Sequence, residues 1–280
     1  MPDIAYVNGK FLPLAEATVP GEDRGYQFAD AVYEALRTYG GRVFAVEEHL
    51  ERLWRSLDAI QLQPDFTRAA LREVIEEAVR RAEFPESLVY LQISRGVAKR
   101  HRGVPPGVKP TVVVTVCALP DTTVTRERGI TCITVPDQRW GRCDIKSVAL
   151  LANVLAYQAA RQAGADDAIF VEADGTLNET TAGNVFLVVG GTLVTPALGP
   201  KLLGGITREK LLLAATAAGI PTAERRVTTE DLWAASEVFV SSTTAEVVPV
   251  RAVDGRPVGA GRPGPVAAQL YAKFVSRWAP

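Results

Sequence analysis

Lys146 lies in the stretch Arg142-Cys143-Asp144-Ile145-Lys146-Ser147-Val148-Ala149-Leu150-Leu151-Ala152-Asn153, where its single lysine opens a long apolar segment. Apolar side chains recur at Val148, Leu151, Leu155 and Ala159 with helical spacing, so Lys146 is expected at or just before a helix N-terminus. There its charge opposes the helix dipole by about 0.3–1 kcal/mol, which favours a neutral or covalently occupied amine. A desolvated lysine of lowered pKa adds to aldehydes to form imines. A solvated surface lysine is the ordinary alternative, and only the surroundings decide between them.

Other residues supply different chemistry. Gly204-Gly205-Ile206-Thr207, at an expected helix start, offers unpaired N–H groups and the positive end of a dipole, which suit a phosphate; Thr207 also reads as a plain N-cap. Ser242-Thr243-Thr244 after a strand adds hydroxyl and N–H donors, and Arg52 a charge-assisted bond, although Ser/Thr-rich turns are usually only turns. Glu179 follows an expected strand in a nearly uncharged neighbourhood, either as a surface turn or as counter-ion to a buried cation such as a protonated pyridine. Tyr33, on a strand, is by default a half-buried aromatic whose hydroxyl reaches water. An imine-forming amine, a carboxylate for a pyridinium and several anion grips are together what pyridoxal phosphate requires.

Composition narrows the alternatives. At 280 residues, 47% hydrophobic and 22% charged, the chain has the make-up of a globular protein of one large or two smaller domains. A net charge of -1 offers no field for nucleic acid or an anionic membrane, so small molecules or protein partners are expected. Met1 to Leu12 lack the basic lead and apolar run of a secretory signal, and Thr180 to Pro200 are uncharged but broken by Gly183, Gly190, Gly191 and Pro196; a cytoplasmic protein is expected. Cys117, Cys132 and Cys143 have no metal-like or redox spacing, and two histidines leave little for a histidine-rich metal site or a Ser-His-Asp triad.

The elements that must position these residues begin with a hairpin on Asn8-Gly9 and a second one, Ala31 to Tyr39 and Arg42 to Val46, on Gly40-Gly41. Tyr33 and Glu34 point to opposite faces of its first strand. Leu50, Leu53, Trp54, Leu57 and Ile60 mark an amphipathic helix from Glu47 to Ile60 with Arg52 off the stripe, and a second helix covers Asp65 to Arg81. Strands are expected at Leu88 to Ser94 and Thr111 to Ala118, with the basic loop Lys99-Arg100-His101-Arg102 between them. The Pro/Thr-rich Leu119 to Thr123 is the expected linker, dividing a domain of residues 1–119 from one of residues 120–280. The second half reads as strand Ile130 to Val135, the lysine helix to about Gly164 and strand Ala168 to Glu172. A hairpin on Gly190-Gly191, a helix from Gly204 to Gly219 and a short helix near Thr229 follow, then strands at Val238 to Ser241 and Val247 to Val253 and a terminal helix, Pro265 to Trp278.

Glu22-Asp23-Arg24-Gly25-Tyr26-Gln27-Phe28 with Val32-Tyr33-Glu34, Glu48 to Leu53, Arg142 to Ser147, Glu179 with Asn184-Val185-Phe186, Gly205 to Arg208 and Ser242 to Glu246 together resemble the D-amino acid transaminases. These are class IV, fold-type IV pyridoxal-phosphate aminotransferases, and the likeness runs along essentially the whole chain. It implies an α+β or α/β fold, with a small α/β N-terminal domain and a larger, β-rich C-terminal domain that binds pyridoxal 5'-phosphate. It implies that Lys146 binds the cofactor and moves the proton and that Glu179 keeps the pyridine nitrogen protonated. Arg52, Ile206, Thr207 and Thr243 would hold the phosphate, Leu203 would pack on the ring, and Tyr33, Arg100, Arg102 and Thr244 would bind substrate. The implied partners are amino acids and 2-oxoacids, in a homodimer whose loop 97–109 reaches the neighbouring active site. Where such enzymes carry Arg-x-His, this chain has Arg100-His101-Arg102. Related activities compatible with the same residues are those of aminodeoxychorismate lyases and of branched-chain L-amino acid or (R)-amine transaminases; a non-catalytic pyridoxal-phosphate carrier is the reading from another class.

Overall fold

A computed structural model describes residues 3–278, which form two compact units. The first comprises Met1–Pro120 and Ile145–Ala149, the second Asp121–Asp144 and Leu150–Pro280.

In the first unit, β1 (Ile4–Val7), β2 (Lys10–Pro13), β3 (Ala31–Tyr39), β4 (Arg42–Val43), β5 (Ser87–Ser94) and β6 (Thr111–Ala118) make one sheet in the order β2-β1-β6-β5-β3-β4. Three helices belong to it: α1 (Arg24–Phe28), α2 (Val46–Ala59) and α3 (Arg68–Ala82). Leu50, Leu53 and Leu57 fall on one stripe of α2 and are at most 1% exposed. They join Val32, Leu36, Leu91 and Ile75 in one core, each such side chain contributing about 1.5–3 kcal/mol of burial free energy. Because side chains alternate along β3, Glu34 is fully buried while Tyr33, next to it, is half-buried on the other face. The sequence missed α1, a five-residue helix that the polar Glu22–Gln27 stretch does not advertise.

In the second unit, α4 (Thr123–Arg128) takes up the end of the expected linker. β7 (Ile130–Pro136), α5 (Leu151–Gln162) and β8 (Asp167–Val171) form a parallel crossover. β9 (Leu177–Thr180), β10 (Asn184–Val189) and β11 (Thr192–Pro196) follow. Then come α6 (Ile206–Ala217), β12 (Thr222–Arg225), α7 (Thr229–Ala234), β13 (Glu237–Ser242), β14 (Glu246–Val253), β15 (Arg256–Pro257) and α8 (Pro265–Trp278). The strands run β12-β11-β10-β13-β14-β7-β8-β9, and β9 also pairs with β10 through Asn184 and Glu179, closing the middle of the sheet on itself. Val185, Leu187, Val238, Val240, Val250 and Ile169 belong to its core.

The lysine segment departs from the expected helix start. α5 begins at Leu151, and Lys146 lies in extended chain beside β3, where Ser147 bridges Val32 and Val148 N–H donates to Ala31 O at 3.1 Å. The dipole argument therefore does not apply to Lys146. The apolar periodicity was real, but it marks an exposed face: Leu151 is 71% and Leu155 61% exposed.

Candidate active site

Lys146 is fixed by its own backbone. Its N–H donates to Ser56 Oγ of α2 at 3.2 Å and its carbonyl accepts from Tyr33 N–H at 2.9 Å. The side chain is half-buried, with Nζ 4.2 Å from the centre of the Tyr33 ring, which also packs against Tyr90 at 5.6 Å. A cation on an aromatic face gains about 0.5–2 kcal/mol, so this ring limits where the amine can swing. Behind it, Glu34 accepts from Arg52 Nε at 2.8 Å and Nη2 at 2.7 Å, and pairs with His49 Nδ1 at 2.7 Å. Burial works to raise the Glu34 pKa, but the charge and hydrogen bonds of Arg52, with those of His49, bring it down to about 2. Burial lowers the pKa of His49 despite Glu34, so the imidazole is neutral near pH 7 and donates from Nδ1. Its Nε2 is buried with no hydrogen-bond partner. Arg52, read from sequence as off the apolar stripe, is 5% exposed, because its planar fork matches a buried carboxylate.

In the second unit, Glu179 is inside β9 rather than after a strand, and 7% exposed. It accepts from Arg139 Nη1, from Leu203 N–H at 3.2 Å and from Asn184 Nδ2 at 3.3 Å. Arg139 is in turn clamped by Asp137, through Nε at 3.0 Å and Nη2 at 2.8 Å, and lies over Phe170 at 4.3 Å. Burial acts to lower the Arg139 pKa, but Asp137 and Glu179 raise it above its ordinary value, so it is a permanent cation. Neither Arg139 nor Asp137 was read as functional from the sequence; the spacing Asp137-x-Arg139 was the available signal.

α6 starts at Ile206 with Gly205 as N-cap and no capping side chain. Thr207 is therefore not the N-cap. Its Oγ1 is buried without a hydrogen-bond partner, as is Ser241 Oγ at the end of β13. The N–H groups of Ile206 and Thr207 belong to the first turn, which has no intrahelical acceptor. Glycine is required at 205, since a Cβ there would meet Asn184 Oδ1 at 2.1 Å. An uncapped dipole and orphan hydroxyls fit a phosphate. Thr243 and Thr244 are half-buried in the turn after β13, and Thr244 lines an open cleft of about 660 Å³ with Thr181, Gly183 and Ser242. Leu203 is half-buried, its N–H on Glu179. Arg100 and Arg102 are exposed in the β5–β6 loop, with Arg100 Nη1 donating to Gln27 O at 3.2 Å. Among the described residues no His/Cys/Asp/Glu group could hold a metal ion, and no helix is long and apolar enough to cross a membrane.

Residues 31–253 match the family model of class IV amino-transferases. The chain is 39% identical to a D-alanine aminotransferase of Bacillus licheniformis over 92% of this chain and 91% of that one. A D-alanine aminotransferase of Staphylococcus haemolyticus is 40% identical, with 96% and 95% covered. Among solved structures, a branched-chain amino acid aminotransferase of Escherichia coli superposes with a TM-score of 0.91 at 27% identity, covering 99% of this chain and 95% of that one. A branched-chain amino acid aminotransferase of Thermoproteus uzoniensis, solved with norvaline, gives 0.87 at 27% identity, with 97% and 93% covered.

Proposed function

This chain belongs to the class IV aminotransferases, and from that premise we propose that it moves an amino group from a D-amino acid to a 2-oxoacid in two alternating half-reactions. Pyridoxal 5'-phosphate, when bound, supplies a reactive aldehyde and a ring that withdraws the electron pair left at the substrate Cα. Lys146 is the amine that holds the aldehyde and, once displaced, takes the proton from the amino acid's Cα. The carrying observation is its placement: both backbone polar groups tied down, Nζ against the Tyr33 ring. Glu179, held by Arg139, keeps a proton on the ring nitrogen. Ile206, Thr207 and Thr243 hold the phosphate, as does Arg52, which Glu34 orients, while Leu203 packs on the ring. Tyr33, Thr244, Arg100 and Arg102 bind the substrate, whose carboxylate suits the two guanidinium groups.

The D-selectivity draws support from the two bacterial relatives of 39% and 40% identity, each a D-alanine aminotransferase. The structural likeness to branched-chain enzymes supports branched-chain L-amino acid transamination as the second reading. We also propose a homodimer, supported by the exposed apolar residues of α5, in which loop 97–109 reaches the neighbour's active site. A cytoplasmic location suits the three free thiols, Cys117, Cys132 and Cys143. A steady-state screen with 2-oxoglutarate as acceptor tests the activity. D-alanine should be the productive donor, whereas productive branched-chain L-amino acids or (R)-amines in its place, or pyruvate released from aminodeoxychorismate without any acceptor, would reassign the enzyme within the family.

A further inference from the structure

The Asp23-Arg24-Gly25 motif has no part in the proposed chemistry, yet Arg24 is 4% exposed and makes bonds in two directions. Its Nε donates to Asp30 Oδ2 at 2.8 Å, and its Nη1 donates to the carbonyl of His101 at 2.5 Å and that of Gly103 at 3.3 Å. Lys99, Arg100, His101 and Arg102 themselves are exposed. Arg24 and Arg100 lie 4.9 Å and 4.5 Å from the centre of the same Phe28 ring. The base of the loop is tied to the same motif, with Arg24 N–H on Gly96 O at 2.9 Å and Ala98 N–H on Glu22 O at 3.1 Å. Asp30 also accepts from Arg95 Nε at 2.8 Å, and Arg95 donates to the carbonyls of Ile60 and Gln61 at the end of α2. A part-buried chain of bonds thus runs from the end of α2 through Arg95, Asp30 and Arg24 to the carbonyls flanking Arg102.

We propose that Arg24 is a positioning residue that sets the shape of the 99–103 loop, so that Arg100 and Arg102 are presented to the carboxylates of the amino acid. The inference rests on the substrate-binding role proposed for these two arginines. A guanidinium is needed because one planar fork must reach Asp30 and two carbonyls at once; an ammonium is a point charge on a flexible stem. Asp30 keeps Arg95 when Arg24 is changed, so the fold has a remaining partner for that carboxylate.

The test compares wild-type holoenzyme with Arg24→Gln and Arg24→Lys. Both variants should keep the cofactor's absorbance, raise KM for D-alanine and D-glutamate by roughly tenfold with a much smaller change in kcat, and be cut faster by trypsin after Lys99, Arg100 or Arg102. Arg24→Lys should not restore KM. If Arg24→Gln fails to fold, Arg24→Lys, which keeps a cation beside Asp30, carries the test. Unchanged KM and trypsin pattern would overturn the inference, as would a fall in kcat alone. Failure of the wild type to transaminate D-alanine would instead overturn the functional reading.

Discussion

Glu179 and Glu34 are both buried glutamates, and their neighbours give them different work. Glu34 meets the fork of Arg52 and the imidazole of His49. Glu179 meets the guanidinium of Arg139, with an amide and a backbone N–H beside it. An anion beside a pyridinium raises the pKa of that cation and preserves its electron-withdrawing power. Glu179→Gln should therefore retain cofactor but slow Cα proton removal by about tenfold or more, one pKa unit being worth about 1.4 kcal/mol. Single-turnover kinetics check this, and an unchanged rate would remove Glu179 from the mechanism. Lys146 and Glu179 stand out in the sequence because each lies in an apolar or uncharged stretch. Arg139 was not: it is one of 31 Lys and Arg, and nothing local says that its fork is buried between two carboxylates.

At the scale of elements, β3 and α2 are joined through Glu34, Arg52 and His49, and that junction predicts acid sensitivity. The Glu34 pKa falls from an ordinary 4.5 to about 2 on folding, so its stabilisation is present above pH 4.5 and is lost as pH falls toward 2. His49 is also depressed from 6.5, so the unfolded chain takes up a proton first and stability begins to fall below pH 6.5. Urea unfolding between pH 7 and 3 should show this decline, and His49→Gln should flatten its upper part. Glu34→Gln should cost about 3–5 kcal/mol at pH 7 by stranding a buried cation. A stability flat from pH 7 to 5 would contradict the depressed His49, and one flat from pH 4.5 to 3 would contradict the pairing of Glu34 with Arg52. The long elements were legible, among them the Val-rich β6, and so were the three glycine hairpins and α6 with Gly219 beyond its end. The start of α5 was not, because period-3.6 apolar spacing does not distinguish a buried stripe from an exposed one, and Val148 extended the apparent pattern upstream. The short helices α1 and α4 carry too few turns to generate a period.

At the scale of the whole molecule, the exposed apolar side chains of α5 are the strongest reason to expect association. Leu151, Val154 and Leu155 are 71%, 59% and 61% exposed on one helix face. Leu155→Glu should shift sedimentation from dimer toward monomer and, because Arg100 and Arg102 are proposed to serve the neighbour's site, lower activity with it. An unchanged dimer would place the interface elsewhere. Lys146 is proposed to work on D-amino acids, and a single half-reaction tests that role. Purified holoenzyme in its pyridoxal form is mixed with D-alanine or L-alanine, without acceptor, and its absorbance is followed. D-alanine should convert it to the pyridoxamine form with release of pyruvate while L-alanine leaves it unchanged; conversion by L-alanine and not by D-alanine would rule out a D-amino acid transaminase.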